Sequence, residues 1–326
     1  MGELSEWPAS TQVYWYQASK SEIVIDPIVQ PIRQVAIVGG THGNEFTGAY
    51  LIKKFEQRPD LVKRSNFETL TLLGNPKAFD IARRYVDEDL NRCFLKQDLQ
   101  DASRSSYEAM RAKTLNQILG PKDNARMDFL LDLHSTTANL GVTLILVNHH
   151  PFNLRLAAYL SKINPLIKVY CWSQPGHENA FLNSLCELGF AIEIGPVAQG
   201  VLDAAHFQTM EALIHSVLDY LEMCNQGDLI RTDNSLTLYQ HVSVIDYPKD
   251  AQGDIRAMIH PQLQGRDYEP LHPGDPLFMG MDGASIMYQG ESTVWPIFIN
   301  EAAYYPKGIA MCLTQKQHII LSADEG

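Results

Sequence analysis

Over the first two-thirds of the chain, short continuous apolar runs alternate with segments whose apolar residues recur at helical spacing. Short runs of this kind are typical of buried strands, and the longer segments are typical of amphipathic helices. The alternation predicts an α/β fold with a mostly parallel mixed sheet flanked by helices. The predicted strands are residues 35–38, 70–73, 129–133, 142–147, 167–171 and 190–194, and the predicted helices are residues 46–55, 107–119, 153–163, 181–188 and 204–221, the last with Asp203 as N-cap.

After residue 227 the pattern changes to short extended runs separated by Pro, Gly and Asp turns, which predicts a β-rich domain. A chain of 326 residues is long enough for about two domains. We therefore divide it into an α/β domain at residues 32–227 and a smaller β-rich domain at 228–326. Residues 1–31, interrupted by prolines, form an N-terminal extension of unclear role.

Charge and composition narrow the possible partners. With 26 Lys and Arg against 38 Asp and Glu, the net charge is −12, which argues against nucleic acid or an anionic membrane surface as a partner. No apolar run approaches the roughly 20 residues of a membrane-spanning helix. The five scattered cysteines, without a CxxC pair, indicate reduced thiols in a cytoplasmic protein.

The sharpest chemical signal is GGTHGNE, where His42 and Glu45 stand between a predicted strand and a helix. A catalytic zinc usually takes three protein ligands. His134 is the candidate for the third, because it also leaves the carboxyl end of a predicted strand, the edge where ligands collect in parallel sheets. Asp132, two residues earlier on the same face, could orient its imidazole. Taken singly, each histidine is more simply a loop or core residue; together they favour a metal site.

Glu193 lies in GFAIEIGP, within a strand that is otherwise apolar. Burying an unpaired carboxylate is costly. The glutamate is therefore either paired structurally or kept for chemistry, and a general acid/base beside a metal is a role that requires such a group.

Arg84, Asn91 and Arg92 in RRYVDEDLNR bring two guanidinium groups and an amide into a predicted loop. Guanidinium binds carboxylate bidentately, so an anion pocket is one interpretation. The other is a surface cluster neutralised by the neighbouring acidic residues.

At this level of detail the chain resembles the aspartoacylase and aminoacylase-3 group, zinc amidohydrolases related to succinylglutamate desuccinylase and to the zinc carboxypeptidases. The resemblance extends from about residue 34 to about residue 310, and its motifs are GGTHGNEFTGAYL, DEDLNRCF, FLLDLHSTT, TLILV, EIGPVAQGVL, HPGDPLF and NEAAYY.

The resemblance implies a zinc-carboxypeptidase-like fold and hydrolysis of an N-acyl amino acid, with one Zn²⁺ per chain. It implies that His42, Glu45 and His134 bind the zinc, that Glu193 is the general acid/base and that Arg84 polarises the scissile carbonyl. The residues that it implies for the substrate's carboxylate are Asn91, Arg92 and, from the β-rich domain, Tyr304; it also marks Glu301 as structurally important and makes a homodimer a reasonable expectation.

One departure concerns the substrate. Relatives specific for N-acetylaspartate have an arginine ten residues before the catalytic glutamate and a tyrosine four residues earlier, whereas this chain has Asn183 and Asn179. Without that guanidinium a second substrate carboxylate lacks a bidentate partner, unless another basic group such as His177 substitutes. The deacylase chemistry is therefore better supported than an aspartate preference. A carboxypeptidase-type exopeptidase and an inactive zinc-binding protein remain the alternatives.

Overall fold

The computed structural model describes residues 31–173, 178–228 and 235–321, so nearly all of the N-terminal extension, and His177, lie outside the described residues. The helices are α1 Phe46–Gln57, α2 Pro76–Asp80, α3 Lys96–Gln100, α4 Tyr107–Leu119, α5 Pro151–Ile163 and α6 Ala204–Gln226. The strands are β1 Gln34–Gly39, β2 Glu68–Leu73, β3 Phe129–Ser135, β4 Gly141–Leu146, β5 Ile167–Cys171, β6 Gly189–Gly195, β7 Ser235–Asp246, β8 Ala257–Ile259, β9 Pro276–Gly280, β10 Ser285–Met287, β11 Trp295–Ile297 and β12 Ile309–Ile320.

Nine of these strands form one sheet in the order β11-β12-β7-β5-β4-β6-β3-β1-β2. The pairs β1–β2, β1–β3, β3–β6, β4–β5 and β5–β7 are parallel. The pairs β4–β6, β7–β12 and β11–β12 are antiparallel. The predicted α/β class with a mostly parallel mixed sheet is therefore confirmed.

The two faces of this sheet differ in the side chains that they carry. Side chains alternate between the faces along each strand. On one face the apolar side chains of β1, β3, β4, β5 and β6 form the largest core cluster together with residues of α1, α5 and α6. The opposite face of β3 and β6 carries Asp132, His134, Ala191 and Glu193. The strands can therefore be nearly continuous apolar runs and still present polar groups to a site.

Helix α1 lies unusually close to β3, and Gly48 makes this possible. A Cβ at this glycine would lie 2.7 Å from the Cβ of Leu133, which is closer than real side chains approach. Glu45 is the residue directly before the same helix, three positions before Gly48. The close packing therefore brings the first turn of α1, with Glu45, to the end of β3.

The helix predicted for residues 181–188 is wrong. Only Leu182–Leu185 forms one 3₁₀ turn, and the chain around it is irregular. The local backbone groups bond elsewhere: the amide N–H of Leu182 donates to Asn91, and the carbonyl of Ala180 accepts from the amide of Phe94. These contacts with a distant loop replace the helical hydrogen bonds that the apolar spacing indicated.

The C-terminal region contains a second, antiparallel sheet of β8, β9 and β10 with its own apolar core. Strands β7, β11 and β12 of the same region join the large sheet. The division at residue 228 stays a prediction, since the large sheet takes strands from both sides of it. Within the described residues, no helix is both long and apolar enough to cross a membrane.

Candidate metal centre and substrate cavity

The carboxylate of Glu45 lies between two imidazoles. Its Oε1 is 2.6 Å from Nδ1 of His42, and its Oε2 is 2.9 Å from Nδ1 of His134. One ligand atom from each of the three residues lies within 4.8 Å of the others, and all three residues are buried. Two imidazole nitrogens and a carboxylate oxygen are the donor set of many catalytic zinc sites.

Each histidine is also held from behind by an aspartate. Nε2 of His134 is 2.7 Å from Asp132, whose other oxygen accepts the hydroxyl hydrogen of Thr41 at 2.7 Å. Nε2 of His42 is 3.0 Å from Asp89. With a metal ion bound, each aspartate would accept the Nε2 hydrogen, and each Nδ1 would present the lone pair that a metal ligand needs. The chemistry of the residues present therefore fits a zinc ion.

The sequence reading included Asp132 but missed Asp89, which it treated only as part of a neutralising surface cluster. Burial alone would raise the pKa of Asp89, but the neighbouring His42, Arg84 and Arg92 hold it well below its usual range. Asp89 is therefore a fixed negative charge behind His42. The signal that could have found it is its place in DEDLNR, two and three residues before Asn91 and Arg92, which were predicted to bind an anion.

Arg84 and Glu193 both line the cavity that contains the cluster. The guanidinium of Arg84 donates to Glu45 at 3.1 Å and to Asp89 at 3.4 Å. Glu193 is the register partner of His134 in the adjacent strand. Burial raises the pKa of Glu193 well above its usual range, and the charge of Glu45 adds to this effect. A cation at the cluster would act in the opposite direction.

Asn91, Arg92 and Tyr304 line the same cavity. Asn91 uses its carbonyl oxygen to accept the Leu182 amide hydrogen, and Arg92 stacks its guanidinium 4.8 Å from the ring centre of Phe181. Burial raises the pKa of Tyr304 well above its usual range, so its hydroxyl is a neutral donor. The nine residues expected to bind the metal or the substrate, to transfer a proton or to orient a metal ligand therefore lie in or directly behind one cavity.

Glu301 supports Tyr304 from the end of the preceding loop. Its buried Oε2 accepts hydrogen bonds from the Thr136 hydroxyl, from the backbone and hydroxyl of Thr137 and from the backbone of Ala138. These hydrogen bonds fasten the C-terminal segment to the loop after β3. The segment with Tyr304 is thereby held at the cavity that contains the candidate metal ligands.

The far end of the cavity is aromatic. Strand register places Ala191 beside Ile145 and Ile145 beside Tyr170, all on the face that carries Glu193. Trp172 and Phe181 complete this end, with ring centres 5.8 Å apart. The sequence reading missed this wall because the residues lie on three strands and an irregular loop.

Asn183 also lines the cavity and is buried. Its side-chain amide donates to the Ile145 carbonyl at 3.4 Å, and that of Asn179 donates to the Val147 carbonyl at 3.0 Å. The two asparagines therefore bind the backbone at the end of β4 and bring no charge to the cavity. Lys307, another lining residue, is the cation that the sequence reading missed.

A mixed α/β sheet that brings a His-x-x-Glu pair and a distant histidine to its strand ends provides the three ligands that a hydrolytic zinc site uses. The Succinylglutamate desuccinylase/Aspartoacylase catalytic domain model matches residues 31–221, and the AstE/AspA barrel-sandwich hybrid domain model matches residues 234–316. The chain belongs to the succinylglutamate desuccinylase/aspartoacylase family.

Three relatives illustrate the range of similarity. A probable aspartoacylase of Acaryochloris marina is 59% identical over 290 residues, covering 89% of this chain and 98% of the relative. The human N-acyl-aromatic-L-amino acid amidohydrolase (carboxylate-forming) is 43% identical over 293 residues, covering 88% and 92%. The crystal structure of murine aminoacylase 3 superposes with a TM-score of 0.85 at 40% identity, covering 90% and 98%.

If Asp89 orients His42 as the distances indicate, Asp89→Asn should weaken zinc binding by about 10- to 100-fold, because the amide removes the charge that fixes the imidazole. Competition against a chromophoric chelator measures this affinity. Asp80→Asn, the same change at an exposed aspartate nearby, is the control. Equal zinc affinity of Asp89→Asn and the control would contradict this role.

Proposed function

We propose that this protein is a zinc-dependent amidohydrolase that cleaves the amide bond of N-acyl amino acids. The observation that carries the proposal is the Glu45 carboxylate between the Nδ1 atoms of two histidines that are each backed by an aspartate. The relatives' printed names support the choice of substrate class. His42, Glu45 and His134 would hold one zinc ion per chain.

When bound, zinc would lower the pKa of a water molecule and polarise the scissile carbonyl. Glu193 takes a proton from the attacking water and returns it to the departing nitrogen. Arg84 lies within hydrogen-bond reach of Glu45, so its guanidinium is placed to stabilise negative charge that develops on the carbonyl oxygen. One water is consumed, the C–N bond breaks, and a carboxylic acid and a free amino acid leave.

Asn91, Arg92 and Tyr304 bind the α-carboxylate of the substrate in this account. The stacking of Arg92 on Phe181 holds its guanidinium against one wall of the cavity, and a fixed guanidinium binds carboxylate at lower entropic cost. The α-carboxylate would then anchor the substrate's amino-acid half close to the aromatic end.

We expect a preference for neutral, and especially aromatic, N-acyl amino acids over N-acetylaspartate. The cavity end beyond Arg92 is formed by Tyr170, Trp172 and Phe181, and the uncharged Asn183 stands where the aspartate-specific pattern has arginine. An apolar wall favours apolar side chains, whereas a second carboxylate there would lose its hydration without gaining a charged partner.

A cytoplasmic location and a homodimeric state extend the proposal. The five free cysteines support a reducing compartment. The homodimer is carried over from the family resemblance alone.

Glu193→Gln should retain zinc but lose turnover by several orders of magnitude, because the amide cannot accept the proton of the attacking water. Zinc content by elemental analysis and steady-state deacylation measure the two properties. Glu187→Gln, an exposed glutamate shortly before the same strand, is the matched control. Near-normal turnover in Glu193→Gln would contradict its role as general acid/base.

A substrate panel tests the specificity. The zinc-loaded protein should cleave N-acetylphenylalanine and N-acetyltyrosine with higher kcat/KM than N-acetylaspartate, and should leave dipeptides intact. Asn183→Arg should raise the ratio of kcat/KM for N-acetylaspartate over N-acetylphenylalanine by about 10-fold or more, because it supplies a guanidinium group that can bind a second carboxylate bidentately.

Asn183→Leu, similar in size and uncharged, is the control for this substitution. A wild-type preference for N-acetylaspartate would overturn the aromatic assignment, and efficient dipeptide cleavage would favour an exopeptidase instead. An unchanged ratio in folded Asn183→Arg would remove position 183 from the determinants of specificity.

A further inference from the structure

The chain from Ile81 to Leu95 supplies much of the candidate site although it contains almost no regular structure. Only Leu90–Arg92 forms a short 3₁₀ turn within it. This segment, which we call the arginine loop, carries Arg84, Asp89, Asn91 and Arg92. An irregular loop is held in one conformation by specific contacts rather than by a ladder of backbone hydrogen bonds.

Glu108, in the first turn of α4, provides that contact. Its Oε1 accepts the backbone N–H of Val86 at 2.7 Å, and its Oε2 accepts those of Asp87 and Glu88 at 2.9 and 3.2 Å. Three successive amide hydrogens therefore converge on one carboxylate. The carboxylate is fully buried, with 0% exposure.

Through Asn75, Glu108 is also linked to the loop that precedes α1. Its Oε1 accepts a hydrogen bond from the side-chain amide of Asn75 at 3.0 Å, and the backbone N–H of Asn75 donates to the carbonyl of Gly40 at 2.9 Å. Two residues further along is His42. One buried carboxylate is thus connected, directly or through Asn75, to both segments that meet at the candidate metal ligands.

The interaction between α4 and the arginine loop is reciprocal. While Glu108 accepts the N–H of Asp87, the side chain of Asp87 accepts the N–H of Tyr107 at 2.8 Å. Each side chain thereby satisfies a backbone donor of the other segment. All four hydrogen bonds that the Glu108 carboxylate accepts from the described residues come from neutral N–H groups, so its burial depends on their alignment.

We infer that Glu108 is a positioning residue that fixes Asp89 and Arg84 against the candidate zinc ligands. The amide of Glu88 is the last that it holds, and the next residue, Asp89, lies 3.0 Å from His42. At the other end of the loop, the carbonyl of Arg84 accepts the Gly43 amide at 3.1 Å and its guanidinium reaches Glu45. Glu108 touches neither zinc ligands nor cavity, so it acts through these residues.

The test is Glu108→Gln, which keeps the size of the side chain but turns an NH₂ group toward backbone donors. We expect zinc affinity about 10- to 100-fold weaker, as for loss of a partner behind a metal ligand, and faster amide hydrogen exchange across residues 84–92. Zinc affinity is measured by chelator competition, and deacylation of N-acetylphenylalanine is measured at saturating zinc. Turnover should remain below that of the wild type there, because Arg84 is displaced as well.

Two further variants complete the design. Glu108→Asp retains both carboxylate oxygens on a shorter stem and should fall between wild type and Glu108→Gln in zinc affinity; it carries the test if Glu108→Gln does not fold. Glu211→Gln makes the same chemical change on α6, where the glutamate pairs with Lys54, and should bind zinc as the wild type does.

Wild-type zinc affinity in Glu108→Gln would overturn the inference, even if its melting temperature fell, since that result would describe an ordinary stabilising residue. The inference relies on the proposed function only for the turnover measurement. A wild-type protein that binds zinc but deacylates nothing, together with weak zinc binding by Glu108→Gln, would refute the proposed function and leave the positioning role standing.

Discussion

The carboxylate of Glu45 is the group on which the rest of the candidate site depends. It faces Nδ1 of His42 and Nδ1 of His134, accepts the backbone N–H of Ser135 at 3.1 Å and receives Arg84. Burial alone would raise its pKa, but the two histidines lower it well below the usual range, so Glu45 is ionised. A buried charge of this kind needs compensation, which a divalent cation supplies most fully.

The groups around Glu45 position its partners and balance its charge. Gly48 lets α1 approach β3, and the aspartates behind the histidines, Asp89 and Asp132, fix which nitrogen of each ring faces Glu45. The cost is a surplus of negative groups in one place. Arg84, Arg92 and Lys307 line the same cavity and offset it, so a chain with a net charge of −12 still offers cationic side chains to a carboxylate substrate.

The sequence predicted what depends on local periodicity. Glu193 was conspicuous because it interrupts an apolar strand, and His134 because it follows the carboxyl end of one. The structure places them side by side on the face opposite the main core. The class of the fold followed from the same alternation. The helix predicted for residues 181–188 was wrong because the apolar residues there have helical spacing, whereas the backbone forms hydrogen bonds with a loop some 90 residues earlier in the chain.

Contacts between distant segments could not be predicted in this way. Asp89 contacts His42, which lies 47 residues earlier, and Glu108 accepts hydrogen bonds from amides about 20 residues earlier. No rule of sequence spacing predicts either contact. Charged residues in a polar loop look like a solvated surface until the fold buries them. The aromatic end of the cavity was missed for the same reason, because Ile145, Tyr170 and Phe181 share a wall only after the strands pair.

Reconstitution with zinc tests the central claim most directly. The purified protein is stripped with a chelator, zinc is titrated back, and bound zinc and deacylation of N-acetylphenylalanine are followed together. The account predicts no activity in the stripped protein and a linear rise that ends at one zinc per chain. Full activity after chelation, or stoichiometric zinc binding with no deacylation of any N-acyl amino acid, would contradict it.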